Sequence, residues 1–385
     1  MKILMVLDNE FPLDIRVENE IEALTNSGHE VHIACYTLQN RKSIELVSNY
    51  TIFRKQISKL KYKSSIACLK FPAYFNFWRK FLNKIFSAEK YDAIHVHDLP
   101  LAAVGYEFKK KYNIPLTIDL HENWPAYLRM SAHTNTVLGK LLSSNKQWEK
   151  YEKKMCNKSD HIIVVVDEAK QRLIQAGIKA EKISIVSNTL NLKKFVSPES
   201  LPDSKYFTLF YAGGINYHRG IQNVIIAIHK IIDEFPQIRF YVLGEGSYKN
   251  KLIKLASELS LKNNIKFFGR KSFKEMIQLL GKSDIAIIPH FKSDHTDSTI
   301  PHKLFQYMFA EKPIIASNCI PIERIINETK TGITYQYDLP EELATKLKDL
   351  ISKNNLFELY SNGRNAVLNK YNWEIEKIVL LKIYS

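Results

Sequence analysis

The chain has 385 residues, 45% of them hydrophobic and 25% charged, and these ordinary values exclude a fibrous, low-complexity or disordered protein and predict two domains. Four cysteines are scattered without the spacing of a zinc site or a disulfide framework: Cys35, Cys68, Cys156 and Cys319. The formal net charge is +15, and a basic excess of this size predicts contact with phosphates in a nucleic acid, an anionic lipid or a phosphorylated substrate.

The opening of the chain and its apolar runs predict neither secretion nor a membrane span. Residues Met1 to Asp8 turn acidic too early for a signal peptide, and no apolar run approaches the roughly 18 residues that cross a bilayer. Because the cysteine usage also fits a reducing compartment, we expect a cytoplasmic protein.

In the first half, short apolar strands alternate with longer amphipathic stretches, as in a parallel sheet with crossover helices. A helix is predicted to begin at Arg16 and to end before Gly28. The predicted strands cover residues 2–7, 30–36, 93–97, 116–119 and 161–166. Two of them are followed by polar pairs, His97-Asp98 and His121-Glu122, which we expect at a ligand-binding edge of the sheet.

Residues 51–90 carry more than half of the positive excess, with ten Lys or Arg against one acid, a net of 10 − 1 = +9. Apolar residues recur there at helical spacing: Phe71, Tyr74, Phe75, Trp78, Phe81, Leu82, Ile85 and Phe86. Basic residues precede them: Arg54, Lys55, Lys59, Lys61 and Lys63. Such a helix either packs on its own sheet with a solvated basic rim or lies on an anionic membrane. The aromatic density favours membrane contact through residues 54–86.

The polar stretch from Val196 to Ser204 contains two prolines and has no periodicity, which indicates a connection between domains. Beyond it the strand and helix alternation returns, with strands predicted at 208–211, 239–243, 265–268, 285–288 and 313–316 and helices at 222–234 and 248–259. Two doubly wound α/β domains are the simplest architecture with this pattern.

The first strand of the second half is followed by the paired glycines Gly213 and Gly214, and Arg219 opens the next helix. Glycines let the backbone approach a ligand, and a helix N-terminus beside a guanidinium favours a phosphate group. The alternative is a tight turn with a solvated arginine. Later strands end in Gly244 and in Gly269-Arg270, which would border the same pocket.

Two groups of histidines raise the question of a metal site. His95 and His97 lie on one face of a predicted strand. A second group falls in one loop of the second half: His290, Asp294, His295 and Asp297. We expect no metal at either group.

These strand-end motifs, the helix after Pro301 and the opening residues 11–18 together resemble the family-4 (group 1) glycosyltransferases of the GT-B fold, along nearly the whole chain. The resemblance implies two Rossmann-like doubly wound domains that face an interdomain cleft. Residues 1–195 would bind the acceptor and residues 205–370 the nucleotide-sugar donor, with the helix at 371–385 packed back on the first domain. It also implies retention of anomeric configuration, with neither a metal nor a cofactor.

By the same resemblance, Arg219 binds the donor diphosphate. Gly214 stands where the family often has a second basic residue, and we expect Lys303 to take over that role from the start of its helix. The family's two glutamates, which have seven residues between them, are replaced here by Ser298 and Gln306. Gln306 can still accept a hydrogen bond from the ribose.

Without the first glutamate, Asp297 or the backbone amides of Ser298 and Thr299 would have to hold the sugar. On the acceptor side, His121 is the expected catalytic contact, with His97, Asp98 and Glu122 beside it.

The resulting prediction is a glycosyltransferase that uses a nucleotide-diphosphate sugar, with a glycan or lipid-linked acceptor of surface polysaccharide assembly and peripheral contact with the membrane. A catalytically weak or inactive binding protein, and a nucleotide-sugar epimerase of the same architecture, stay open as alternatives. A nucleic-acid partner is not expected, because no recognised binding module occurs.

Overall fold

The computed structural model describes residues 1–12, 14–130, 139, 142–199, 202–353 and 357–385, which form two compact units. Unit 1 comprises Met1–Asn188 and Glu374–Ser385, and unit 2 comprises Thr189–Trp373. Three residues of the predicted motifs lie outside the described residues: Leu13 of the opening, and Ser200 and Leu201 of the predicted connection.

Unit 1 is built on an eight-stranded sheet. Its strands are β1 (Lys2–Leu7), β2 (Glu30–Thr37), β3 (Ile44–Val47), β4 (Tyr50–Gln56), β5 (Ala93–His97), β6 (Leu116–Leu120), β7 (His161–Val164) and β8 (Ile183–Ile185). The order across the sheet is β3-β4-β2-β1-β5-β6-β7-β8, and only the β3–β4 pair is antiparallel. The carboxyl ends of β1, β5 and β6 therefore lie side by side.

Among the described residues of unit 1, the helices are α1 (Ile15–Asn26), α2 (Lys59–Lys63), α3 (Ala73–Ala88), α4 (Ala102–Tyr112), α5 (Trp124–Met130), α6 (Asn145–Lys158) and α7 (Asp167–Gln175). Helix α1 begins where the Asp14 side chain accepts hydrogen bonds from the amides of Arg16 and Val17. It ends at Ser27, and Gly28 follows with φ = 85°, the left-handed conformation that glycine adopts readily.

Unit 2 contains a six-stranded, all-parallel sheet. Its strands are β9 (Phe207–Ala212), β10 (Ile238–Leu243), β11 (Ile265–Gly269), β12 (Ile285–Ile288), β13 (Ile314–Ser317) and β14 (Gly332–Tyr335), in the order β11-β10-β9-β12-β13-β14. The helices are α8 (Ile221–Ile231), α9 (Lys249–Glu258), α10 (Phe273–Gly281), α11 (His302–Phe309), α12 (Ile320–Thr329), α13 (Pro340–Lys353) and α14 (Phe357–Asn369). Apolar residues of α8 are fully buried against this sheet.

The predicted alternation of strands and helices is confirmed in both units, and the doubly wound α/β fold class with it. The β3–β4 hairpin, β8 and β14 were not predicted. The chain enters unit 2 after Asn188, so residues 189–195 belong to unit 2. Glu199 of the predicted connection lies against α10, since a Cβ on Gly281 would come 2.4 Å from the Glu199 carbonyl oxygen.

The basic aromatic segment differs from its prediction. All of its stripe except Phe71 is buried, because α3 packs against the rest of unit 1. Arg54 is also buried in β4, where it pairs with Glu45 and donates to the Phe11 carbonyl. The buried members of the stripe and Arg54 therefore cannot contact a membrane, since burial in the core removes them from any outer surface, whereas Phe71 stays exposed.

The last helix, α15 (Trp373–Lys382), leads into a tail that belongs to unit 1. Glu376 accepts a hydrogen bond from the amide of Ser187, and the Tyr384 hydroxyl lies 2.8 Å from His95 Nδ1. Among the described residues, no helix is both long and apolar enough to cross a bilayer.

Candidate functional site

The turn after β9 depends on two glycines, one in the turn itself and one at the neighbouring strand end, at positions that disfavour any larger residue. Gly213 has φ = 150°, and its amide donates to the Leu243 carbonyl. Gly244, at the end of β10, has φ = 126°, and a Cβ there would lie 1.9 Å from the Gly213 oxygen. The two strand ends therefore touch through backbone alone, with no side chain of either glycine between them.

Arg219 stands at the end of a short turn that leads into α8. The turn closes at Gly220 with φ = 69°, and the helix begins at the next residue. Arg219 Nη1 lies 3.3 Å from Nε2 of the buried His290. A guanidinium directly before a helix N-terminus combines two attractions for an anion, its own charge and the helix dipole.

Lys303, in the first turn of α11, reaches the same glycine turn. Its Nζ lies 4.2 Å from the centre of the Tyr211 ring, and a Cβ on Gly213 would come within 2.4 Å of it. Helix α11 is held there because the Ala212 amide donates to the Tyr307 hydroxyl. Burial, together with the neighbouring Arg219, holds the pKa of Lys303 well below its usual range.

Two histidines near this turn respond to the positive charge of Arg219. Burial and the Arg219 charge lower the pKa of His218 to about 4 and that of His295 to about 3. In the described parts of the chain, neither Arg219 nor Lys303 forms an ion pair with a carboxylate. The turn therefore carries positive charge that no protein acid compensates, which suits a polyanionic ligand.

The loop expected to hold the sugar is largely tied to the protein. Asp297 Oδ1 accepts hydrogen bonds from Lys292 Nζ (3.0 Å) and from the Ile320 amide (2.8 Å), which anchors the loop to the start of α12. The Ser298 amide donates to the His295 carbonyl, and its hydroxyl donates to the Asp294 carbonyl. In the structure the Ser298 amide therefore already has an acceptor within its own loop.

The remaining donor-side candidates lie at the edges of this region. Thr299 is half-buried directly after the loop, and Gln306 is half-buried on α11. Gly269 has φ = 71° and its carbonyl accepts from the Gly244 amide, so these two strand ends adjoin. Gly214 and Arg270 are exposed.

In unit 1, the predicted polar residues meet at the carboxyl ends of β5 and β6. His121 Nε2 lies 2.9 Å from Asp119 Oδ2, and its Nδ1 lies 3.7 Å from Asp98 Oδ2. Burial opposes a charge on His121, but the Asp98 and Asp119 carboxylates outweigh it and raise the pKa of His121 to about 10. His121 is therefore an imidazolium near neutral pH. His97 Nδ1 is 3.2 Å from His121 Nε2, and Glu122 is half-buried next to them.

Three residues of this edge were missed in the sequence: Arg16, Glu20 and Asp119. Arg16 donates to both oxygens of Asp119, at 3.0 and 2.8 Å, and its Nε lies 3.1 Å from Glu20. All three are buried. The available signal was an acid inside the apolar strand 116–120 and an Arg–Glu pair spaced i, i+4 on α1.

Four side chains of this edge could in principle hold a metal ion: Glu20, His95, His97 and Asp119, whose ligand atoms lie within 4.8 Å of one another. Asp119, however, already accepts two hydrogen bonds from Arg16 and faces His121. A divalent cation here would be buried beside a guanidinium and an imidazolium, which repel it. We therefore interpret the group as part of a charge network in which Arg16 and His121 are the cations beside Asp119.

Comparison with known proteins agrees with this architecture. Residues 14–194 match the family described as Glycosyltransferase Family 4, and residues 193–366 match Glycosyl transferases group 1. An uncharacterized glycosyltransferase of Methanocaldococcus jannaschii is 24% identical over 383 residues, covering 90% of this chain and 92% of its own.

Two solved structures show the same fold. Sucrose-phosphate synthase of Thermosynechococcus elongatus superimposes with a TM-score of 0.81 at 17% identity, covering 100% of this chain and 98% of its own. HepE of Anabaena, in complex with UDP, gives a TM-score of 0.75 at 14% identity, covering 100% of this chain and 99% of its own. The chain therefore belongs to the family-4, group 1 glycosyltransferases and has the GT-B fold.

Proposed function

We propose that unit 2 binds a nucleoside-diphosphate sugar through Arg219 and Lys303, and that the enzyme transfers this sugar to an acceptor. The observation that carries the proposal is the pair of cations at one glycine turn, without a carboxylate partner among the described residues. A diphosphate brings about two negative charges, which would restore the charge balance of the turn.

The same pair would serve the chemistry. When the sugar leaves, negative charge grows on the departing diphosphate, and cations fixed beforehand at that position lower the barrier. Two side-chain cations supply the charge that a divalent metal supplies in other diphosphate sites, so we propose a metal-independent reaction. By family resemblance we also propose that the anomeric configuration is retained.

Sugar and acceptor contacts are proposed on the family pattern. Asp297, Thr299 and Gln306 would hold the sugar and ribose in unit 2, and His121 would act from unit 1 with His97, Asp98 and Glu122 around it. Because His121 is charged near neutral pH, it would donate a hydrogen bond and would not remove a proton. Gly244, Gly269 and Arg270 would border the nucleotide.

The experiment that tests the donor is a screen of nucleotide sugars by thermal shift, followed by product analysis. We start with UDP-sugars, because the similar HepE structure contains UDP. A true donor at 100 times its dissociation constant stabilises the protein by about 2.7 kcal/mol. Transfer that persists in EDTA and yields the same anomer supports the proposal. A requirement for added metal contradicts metal independence.

A lipid-linked acceptor at the cytoplasmic face of a membrane is the second part of the proposal. Leu60 is 82% exposed on α2 and Phe71 is 58% exposed before α3. Exposed lysines lie close to them in the chain: Lys59, Lys61, Lys63 and Lys70. Apolar side chains among lysines suit anionic headgroups, although this patch is smaller than the stripe that the sequence predicted.

Co-sedimentation with vesicles of phosphatidylglycerol and phosphatidylcholine tests this patch. We expect binding at low salt that weakens when Leu60 and Phe71 are both changed to Ser. The control is Leu46→Ser, since Leu46 is 75% exposed on β3 of the same unit. Wild-type protein that stays in the supernatant at low salt contradicts membrane contact.

A catalytically weak or inactive binding protein is the alternative, favoured by Ser298 and Gln306 at the positions of the family's two glutamates. Such a protein would bind the nucleotide without transferring or hydrolysing the sugar. A donor that stabilises the protein yet stays intact over long incubation with candidate acceptors would support it. An altered free nucleotide sugar would indicate an epimerase.

A further inference from the structure

The end of β12 is docked on the turn that carries Arg219. The Phe291 amide donates to the His218 carbonyl at 2.9 Å. A Cβ on Gly220 would lie only 1.7 Å from the Pro289 oxygen, so the two backbones touch. Residues 289–291 and 218–220 therefore form one packed unit, and a side chain on the first segment can set the direction of one on the second.

His290 is the side chain in that position. It is 2% exposed, and its Nε2 lies 3.3 Å from Arg219 Nη1. Its own carbonyl accepts from the Ser317 hydroxyl at 2.5 Å, which fixes the backbone from the neighbouring strand β13. The imidazole thus has little freedom to turn away from the guanidinium.

The direction of this hydrogen bond follows from the chemistry of its partners. Arginine has only donors, so His290 Nε2 must accept, and the ring proton must sit on Nδ1. A protonated imidazole could not accept. Burial and the nearby charges of Arg219 and Lys303 hold the pKa of His290 well below its usual range, which keeps Nε2 available.

We propose that His290 is a positioning residue of the donor site, which orients the Arg219 guanidinium by accepting a hydrogen bond from its Nη1. The inference rests on the proposed function, and it adds a residue that the family resemblance did not supply. A neutral acceptor has an advantage over a carboxylate here. A carboxylate would hold the guanidinium equally well, but it would also cancel the charge that attracts the diphosphate.

Three substitutions separate these effects. His290→Gln keeps a neutral acceptor of similar reach, His290→Leu removes the acceptor at similar volume, and His290→Glu keeps an acceptor and adds a negative charge. The control is His229→Leu, because His229 is exposed on α8 of the same unit. Calorimetric titration with inorganic pyrophosphate and with UDP measures the site, and circular dichroism confirms folding.

We expect His290→Gln and His229→Leu to bind both ligands within about threefold of wild type. His290→Leu should weaken binding by about tenfold, the value of one hydrogen bond to a charged group. His290→Glu should weaken it at least as much and should lessen its salt dependence, since one ligand-attracting charge is cancelled. In steady-state assays the loss should appear in KM for the donor and not in KM for the acceptor.

Equal affinities for the Leu and wild-type proteins, or equal affinities for the Gln and Glu proteins, would overturn the role of His290. If the Leu variant does not fold, the comparison of the Gln and Glu variants still tests the role of His290. These two side chains have nearly the same shape, and weaker binding is expected only for Glu. Wild-type protein that binds neither pyrophosphate nor UDP contradicts the proposed donor site itself. This result separates failure of the proposed donor site from failure of the positioning role of His290 alone.

Discussion

At the scale of single residues, Lys303 allows the most direct test of the donor site. Its amine is buried beside Arg219 and has no carboxylate partner among the described residues, so the charged form is disfavoured in the free protein and a bound anion should favour it. We expect Lys303→Ala to weaken UDP or pyrophosphate binding by about tenfold while leaving the melting temperature unchanged or higher.

Isothermal titration and thermal unfolding of the same samples measure both effects of Lys303→Ala. The control is Lys262→Ala, which removes an exposed lysine of the same unit and should change neither quantity. Donor affinity and turnover at wild-type levels in the Lys303 variant would mean that Lys303 is only a packed residue of α11 and does not bind the donor.

Asp119 is the residue on which the charge network of unit 1 depends. Its carboxylate accepts two hydrogen bonds from the buried Arg16 and faces His121. Asp119→Asn leaves a buried guanidinium without its main counter-ion, and removing one partner of such a pair typically costs about 3–5 kcal/mol of unfolding free energy.

The Arg79–Glu107 pair provides the comparison for Asp119. It is similarly bidentate, at 2.7 Å for both bonds, but it lies at the surface. Glu107→Gln should lower the free energy of unfolding by about 1 kcal/mol or less, because solvent screens exposed ion pairs. Urea unfolding measures both variants. Similar losses for the two would contradict the importance of burial.

The residue scale also shows where sequence reasoning reached its limit. Arg219, Gly213 and Lys303 could be proposed from position, because residues after parallel strands share one edge. The partner of Arg219 could not: His290 lies 71 positions away, and only the register of β9 against β12 brings it close. Asp297 and Ser298 were candidates as free polar groups, yet their partners within the loop depend on its closed conformation.

At the scale of elements, the glycine that joins the Arg219 turn to α8 is a structural requirement. Gly220 has φ = 69°, and an added Cβ would lie 1.7 Å from the Pro289 oxygen. Gly28 offers a matched comparison, since it has φ = 85° with open space around the missing Cβ.

Gly28→Ala should lower the free energy of unfolding only by the strain of an alanine in the left-handed conformation, about 1–2 kcal/mol. Gly220→Ala should cost clearly more, because the backbone of Pro289 must move as well, and it should also weaken diphosphate binding. Chemical unfolding and UDP titration of the two variants test this. Equal stability losses would mean that the contact with Pro289 relaxes freely.

The strands and helices differ in how well the sequence predicts them. Strands such as β1 and β12 are short apolar runs buried on both faces, a pattern that local sequence displays. The β3–β4 hairpin was missed because β3 is only four residues long and none of its residues is fully buried, so it does not resemble the buried runs of the parallel strands. Helix α3 was predicted as a helix, but its amphipathic stripe is equally compatible with a core or a membrane, and only packing decides between them.

At the scale of the whole molecule, the two units respond to different variables. The uncompensated cations lie in unit 2, so a diphosphate should stabilise that unit, whereas the Arg16–Asp119–His121 network makes unit 1 sensitive to pH. The division into units was foreseeable because the strand and helix pattern occurs twice. The exact boundary was not, since residues 189–195 have no periodic signal of their own.

The pH dependence of unit 1 follows from His121, whose pKa is raised from 6.5 to about 10 by Asp98 and Asp119 against the opposing effect of burial. A group with a raised pKa binds its proton more tightly when folded, so its contribution to stability is complete below pH 6.5. That contribution is lost as the pH rises from 6.5 to about 10, with a limiting slope of about 1.4 kcal/mol per pH unit. Replacing His121 by Gln removes the titrating group but keeps a side chain that can donate a hydrogen bond to Asp119.

Wild type should therefore be more stable than His121→Gln near pH 6.5, and the difference should shrink steadily toward pH 10. Measuring the difference between the two proteins at each pH cancels the titrating groups that do not interact with His121, so the difference reports His121 together with its charge network. His161→Gln is the control, because it removes a half-buried imidazole at the start of β7 of the same unit. A decline of the same size in this variant would mean that the trend does not arise from His121. A stability difference for His121→Gln that stays constant from pH 6.5 to 10 would mean that the imidazole is neutral in the folded protein, and then His121 could accept a proton from the acceptor instead of donating a hydrogen bond.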